Sequence, residues 1–295
     1  MTRHFLTGQE LTSDELDRLL DRAIELKRDR LASGALAGLS VALIFDKPST
    51  RTRLSFEVGV HELGGYPVVL REGEMQIARG ESARDTALVL SRFVHAVGIR
   101  TGPHALVEDL AAHSSVPVIN MLTAEHHPCQ ALADLMTLHE RFGQLDGLRL
   151  VYVGDGNNVA HSLMVLGALA GVEVVVATPP ELRPDERYAS NGIRTTTDAA
   201  AAAEGADALY TDVWVSMSDD EAQAAARREL LAPYRLDEAL LARAADRAVV
   251  LHCLPAHPGE EITAGVLYGE RSAVWDQAEN RLHAQKALLE LLVDR

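Results

Sequence analysis

The sequence predicts an α/β protein made of two doubly wound parallel-sheet domains joined by interdomain helices. Three observations lead there. Short apolar, β-branched runs alternate with stretches of helical spacing, the pattern of βαβ units. That alternation restarts near residue 148, after one long helical stretch. Polar clusters repeatedly follow the strand-like runs, at residues 49–53, Arg100, 127–130, 155–158, 212–217 and 252–255, and open α/β sheets bind ligands beyond the carboxyl ends of their strands.

Taken in order, Thr12 with Glu15 three residues on, ahead of Leu16, Leu19, Leu20, Ala23, Ile24 and Leu26, reads as a capped amphipathic helix. Residues 41–45 read as a buried strand, 46–48 as a turn, and the following stretch as a helix closing at Leu63-Gly64-Gly65. A strand at 67–70 leads into a polar, aperiodic loop at 72–84, and a loop of that length inside a domain is usually functional. Ser82, with Asp85 three on, caps a helix expected to reach Val94. Strands follow at 97–100 and 116–120, then a linking helix at 129–142. The second half predicts a strand, glycine turn and helix over 148–171, a strand at 173–177, a helix at 199–204 between Asp198 and Gly205, strands at 208–212 and 249–255, and a tail helix at 278–293.

Composition narrows the function classes. The chain has 295 residues, 47% of them hydrophobic, enough for one large or two ordinary domains. No apolar run approaches the roughly 20 residues that span a bilayer, and residues 1–5 lack the apolar core of a secretion signal. A formal charge of −15 argues against nucleic-acid and anionic-membrane partners. Only two cysteines occur, Cys129 and Cys253, both within polar motifs, which suits a reducing cytoplasm where cysteines tend to be chemical. Cytoplasmic location is the resulting expectation.

Ser49-Thr50-Arg51-Thr52-Arg53 is the stretch around which the chain is organised. A strand, a turn and a hydroxyl-rich helix start together make an anion site, because the first helical N–H groups lack internal partners and the macrodipole adds positive potential. Arg51 supplies a charged fork suited to phosphate oxygens. Residues two apart on a helix point about 200° apart, so Arg53 is free to pair with Glu57 instead. The plainer reading is a capped helix with a solvated basic end.

His127-Pro128-Cys129-Gln130 places two neutral donors at a helix start, apt for polarising a carbonyl oxygen, although His127 could equally be satisfied by local backbone. Cys253, after a strand and beside His252, is a candidate functional thiol, the alternative being a small buried hydrophobe. Gly154-Asp155-Gly156-Asn157-Asn158 invites a dinucleotide reading. The fingerprint fails, since Val159 stands where glycine is needed and 177–179 lacks the acidic residue. Zinc is not expected at His126, His127, Cys129, His252 and Cys253, because the spacings are wrong and neighbours such as His252 and Cys253 point apart on a strand.

Together these motifs resemble the transcarbamoylase family, and within it the branch acting on ornithine. Ser-Thr-Arg-Thr-Arg at 49–53 and His-Pro-Cys-Gln at 127–130 are similar to the signatures shared across the family. Asp212 to Met217 as D-x-x-x-S-M, His-Cys-Leu-Pro at 252–255 and Glu279-Asn280-Arg281 are similar to the ornithine branch. The resemblance spans nearly the whole chain. It implies carbamoyl transfer from carbamoyl phosphate to the side-chain amine of L-ornithine, giving L-citrulline and phosphate in arginine biosynthesis, with no metal or organic cofactor. It implies a carbamoyl phosphate domain over 1–145, on which the helix at 278–295 packs back, and an ornithine domain over 146–277.

By the same resemblance, Ser49, Thr50, Arg51 and Thr52 would hold the phosphate. Arg100, His127, Gln130 and Arg281 would contact the carbamoyl end, and Gln76 would reach into a neighbouring subunit of a homotrimer. Asn158, Asp212, Ser216 and Met217 would hold the α-amino and α-carboxylate groups of ornithine, with Cys253 and Leu254 near its side-chain amine. Asp212, Cys253, Arg51 and His127 would carry the chemistry. An alkyl amine has a pKa near 10.4, so it must lose a proton before attack, and Asp212 with Cys253 could assist. Related enzymes taking putrescine or an acylated ornithine are the near alternatives, and the Asp212, Ser216 and Met217 set favours a free α-amino acid. The chain departs from the family pattern at Ser218, at Pro258, and at Leu88 and His95, both expected on the helix after the long loop.

Overall fold

The computed structural model describes residues 2–75, 80–188, 193–215 and 221–293. The chain divides into two compact units, Met1–Met136 with Glu279–Arg295, and Thr137–Ala278. It passes from the first to the second within one helix and returns within another.

In the first unit, helix α1 (Ser13–Arg28) opens on a complete capping box: Thr12 accepts from the Glu15 backbone, and Glu15 accepts from the Thr12 backbone. Strand β1 (Ser40–Phe45), buried after its first residue, feeds helix α2 (Thr50–Glu62). Strand β2 (Tyr66–Arg71) follows, then helix α3 (Ala83–Leu90), strand β3 (Ala96–Arg100), helix α4 (His104–His113), strand β4 (Val118–Leu122) and helix α5 (Pro128–Phe142). All pairings are parallel, in the order β2-β1-β3-β4. The order reverses between β1 and β3, so their carboxyl ends form a crevice suited to a ligand.

The second unit repeats the plan with β5 (Arg149–Val153), α6 (Asn158–Leu169), β6 (Glu173–Ala177), β7 (Ile193–Thr196), α7 (Ala199–Ala203), β8 (Ala208–Thr211), α8 (Glu221–Leu231), α9 (Glu238–Leu241), β9 (Val249–His252), α10 (Ala264–Leu267) and α11 (Val274–Val293), whose latter part belongs to the first unit. Its parallel order is β7-β6-β5-β8-β9, and the reversal falls between β5 and β8. No described helix is long and apolar enough to cross a membrane.

Five elements were not anticipated: α4, β7, α8, and the four-residue helices α9 and α10, which are too short to show a period although Asp237 and Thr263 cap them. α4 carries its buried residues at His104, Val107, Leu110 and Ala111, a helical period, but begins after Pro103 with no capping side chain. β7 is an edge strand without a buried face, so no alternation marks it. The alanine-rich α8 lies just after a polar run with no described cap. α3 stops at Leu90 rather than Val94, which leaves His95 beyond the helix. There its Nδ1 accepts the Ser40 N–H at 3.1 Å, a strand-edge contact in place of the helix-surface position expected.

Candidate active site

The first cluster is built where β1, β3 and β4 end. Ser49 is the N-cap of α2 in extended conformation, and its hydroxyl makes no capping bond. Arg53 donates to Glu57 at 3.1 Å, the i to i+4 pair expected from the spacing. A cavity of about 440 Å³ opens at this strand end, lined by Lys47, Ser49, Thr50, Arg53 and Arg71 among others. Thr52, fully buried, accepts from Arg281 Nη2 at 2.6 Å and from Arg100 Nη1 at 3.4 Å. Arg281 Nη1 also donates to Gln130 Oε1 at 2.7 Å. Helix α11 thus brings Arg281 to α2 and α5, a meeting of residues 229 apart in sequence.

His127 is buried beside these groups. Burial first, then the positive charges of Arg281, Arg100 and Arg51, push its pKa well below the usual histidine value. The ring is therefore neutral near pH 7 and can offer one N–H without adding charge. Three guanidinium groups and a neutral imidazole make an environment for a compact anion bearing a polarisable oxygen.

The second cluster lies at the β5/β8 reversal. Asn157, the N-cap of α6, accepts on Oδ1 from the backbone of Val159 at 2.9 Å and Ala160 at 3.3 Å, and from the Tyr152 hydroxyl at 3.2 Å. Burial first, then Asp212, Asp155 and Cys253, hold Tyr152 well above its ordinary pKa, so it stays a donor. Asn157 Nδ2 donates to Asp212 Oδ2 at 3.0 Å, while Asp212 Oδ1 accepts from the Val213 N–H at 2.8 Å and from Cys253 Sγ at 2.7 Å. A buried carboxylate and a half-buried thiol are thereby aimed at each other at adjacent strand ends.

β9 stops at His252, and this overturns the expectation that His252 and Cys253 point apart on a strand. Ligand-type atoms of Asp212, His252 and Cys253 lie within 4.8 Å of one another. Each is engaged by protein. His252 Nδ1 accepts the Leu254 N–H at 2.8 Å, its Nε2 faces Glu261 Oε1 at 3.2 Å, and the thiol is on Asp212. The contact to His252 also supports Leu254, held at φ +59° ahead of a cis bond to Pro255. The glycine turn is likewise filled from within. A Cβ on Gly156 would meet Pro184 N at 2.2 Å and Leu182 O at 2.6 Å, so this glycine serves packing of the chain on itself.

Of the expected site residues, Gln76, Ser216 and Met217 lie outside the described residues, as does Ser218. Ser49, Thr50, Arg51, Thr52, Arg100, His127, Gln130 and Arg281 all fall in the first unit; Asn158, Asp212, Cys253 and Leu254 fall in the second. Asn158 is the first residue of α6 and half-buried. Cys129 corrects the expectation of two chemical cysteines. It is fully buried, donates to Asn120 O at 3.3 Å, and burial pushes its thiol up to about 12, so it is structural. Two residues were missed, Asn157 and Asp134. Asp134 is fully buried and accepts from Gln130 Nε2 at 2.9 Å. Its position four residues after Gln130 on one helix was the available signal.

Two family models match successive parts of the chain. Residues 3–140 match the family model described as aspartate/ornithine carbamoyltransferase, carbamoyl-P binding domain. Residues 146–292 match its Asp/Orn binding domain. The chain is 55% identical to an ornithine carbamoyltransferase of Acidothermus cellulolyticus, covering 100% of this chain and 97% of that one. Among solved structures, the Pyrococcus furiosus ornithine carbamoyltransferase is 46% identical, with a TM-score of 0.93 over 97% of this chain and 96% of that one. The Thermus thermophilus enzyme of the same name is 44% identical, with a TM-score of 0.93 over all of both chains. With both family domains matched in order and along nearly all of its length, the chain belongs to the aspartate/ornithine carbamoyltransferase family.

Proposed function

We propose that this chain transfers the carbamoyl group of carbamoyl phosphate to the side-chain amine of L-ornithine, releasing L-citrulline and phosphate, as a cytoplasmic step of arginine biosynthesis. The supporting observation is the neutral His127 set among Arg51, Arg100 and Arg281. Cations there would stabilise a phosphate dianion, while a neutral donor would polarise the adjoining carbonyl without competing for the phosphate. The names and identities of the relatives support the choice of acceptor.

In this reading the first unit takes carbamoyl phosphate. Ser49, Thr50, Arg51 and Thr52 hold its phosphate with the N-terminus of α2, and Arg100, His127, Gln130 and Arg281 its carbamoyl end. The second unit takes ornithine through Asn158, Asp212, Ser216 and Met217, with Cys253 and Leu254 at the side-chain amine. The ammonium loses its proton with the help of the Asp212–Cys253 pair. The free amine then adds to the carbamoyl carbon, the donors stabilise the oxyanion, and phosphate leaves with the electrons of the broken C–O bond and takes the remaining extra proton of the added nitrogen. A homotrimer sharing the Gln76 loop completes the proposal.

The test is ureido product formation from carbamoyl phosphate with ornithine, putrescine, N-acetylornithine and aspartate in parallel. Turnover with ornithine alone is expected. Turnover with another amine in its place overturns the acceptor assignment, and no turnover with any of the four overturns the reaction.

A further inference from the structure

The amide of Gln130 has one permitted orientation, set by the chemistry of its two neighbours. A guanidinium can only donate and a carboxylate can only accept. Arg281 Nη1 stands 2.7 Å from one end of the amide and Asp134 Oδ1 2.9 Å from the other, so the oxygen must face Arg281 and the nitrogen must face Asp134. Asp134, Gln130 and Arg281 are all buried, which leaves water little part in relaxing the arrangement. The result runs against the local charge. Beside Thr52, His127 and three arginines, where an anion is to bind, Gln130 presents an acceptor.

An acceptor is unhelpful to an oxygen-rich anion and useful to one carrying an N–H next to its phosphate. The carbonyl oxygen of Gln130 has two lone pairs, one taken by Arg281, leaving one for an incoming donor. The bond that the amide nitrogen donates to Asp134 polarises the amide and makes its oxygen a stronger acceptor. We infer that Asp134 is a specificity-determining positioning residue. By holding the amide of Gln130 oxygen-forward, it selects a carbamoyl phosphate, with its NH2, over an acyl phosphate bearing a methyl group in that place. This rests on the proposed reaction, in which the carbamoyl group lies at Gln130.

The test compares three probes on the full chain: carbamoyl phosphate, acetyl phosphate and inorganic phosphate. On the unaltered protein, acetyl phosphate should bind about tenfold or more weakly than carbamoyl phosphate, because a methyl group leaves the acceptor unpaired. Dissociation constants within about twofold of each other overturn the inference without any variant. Asp134→Leu removes the acceptor of the Gln130 amide nitrogen together with any negative charge near the anion site, so electrostatics alone predicts unchanged or tighter binding of all three probes. The inference expects opposite signs: inorganic phosphate unchanged or tighter, carbamoyl phosphate about five- to tenfold weaker. Equal changes for both overturn it. In a Gln130→Met background the Asp134 substitution should no longer alter the ratio of carbamoyl phosphate to phosphate binding, since the effect runs through the amide; a persisting effect overturns it. Failure of the unaltered chain to bind carbamoyl phosphate at all would instead strike the proposed function.

Discussion

Cys253 donates its thiol to Asp212 Oδ1 across 2.7 Å, although 41 residues separate them. The pairing follows from sheet order, because β8 and β9 are neighbours and both residues stand just beyond the ends of those strands. Asn157 holds the other carboxylate oxygen from the start of α6.

Asn157→Asp tests this arrangement. Aspartate caps a helix as well as asparagine, so the bonds from Val159, Ala160 and Tyr152 survive. The donor to Asp212 is lost and a like charge takes its place. A melting temperature within about 2 °C of the parent, with kcat/KM for ornithine down by about tenfold to a hundredfold, is expected from steady-state kinetics beside a thermal melt.

Arg51 and Arg53 should separate cleanly. Arg53 is paired with Glu57, and its side chain is 43% exposed, so Arg53→Ala should cost about 0.5 kcal/mol of stability and change carbamoyl phosphate affinity less than about threefold. Arg51→Ala should weaken carbamoyl phosphate by about a hundredfold or more with the fold intact. Calorimetric titration of both variants decides the matter, and equal losses of affinity would refute the division.

Lys286 is fully buried on α11, with Nζ donating to Glu62 Oε2 at 2.9 Å and to the Arg30 carbonyl at 2.5 Å. Gly59 makes room for it, since a Cβ there would come within 3.2 Å of Lys286 Cγ. Burial raises the carboxyl of Glu62, but hydrogen bonds from Arg30 and Lys286 outweigh it and leave the pKa lowered. Lys286→Met should cost about 3 kcal/mol in urea unfolding, and adding Glu62→Gln should recover part of that loss. Loss of carbamoyl phosphate affinity should accompany it, because the same helix carries Arg281.

Acid stability should depend on Glu15. The hydrogen bond from Arg3, then the Thr12 backbone, lowers its pKa to about 2 from 4.5. A depressed carboxylate stabilises the fold above the unfolded pKa and loses that contribution as pH falls. Here the loss runs from about pH 4.5 down to about 2. Glu15→Gln should cost about 1 kcal/mol at pH 7, after solvent screening, and flatten the stability profile in that acid window. Urea unfolding at several pH values measures both.

The sequence by itself determined whatever depends on neighbours along the chain. The capping box at Thr12 and Glu15, the Arg53–Glu57 pair, the cap at Asp198 and the placing of polar groups after strands are local consequences of spacing and side-chain type. The restart of the βα pattern near residue 148 was legible for the same reason. What lacked a local mark was missed: the uncapped α4, the edge strand β7, and the early end of α3 that turns His95 to Ser40. Tertiary structure alone decided the contacts of the sites. Parallel sheet order brought Cys253 to Asp212, helix return brought Arg281 to Thr52 and Gln130, and burial made Cys129 inert and His127 neutral. Spacing reports on residues within a turn or a strand. Desolvation and long-range charge depend on what else the fold packs around them.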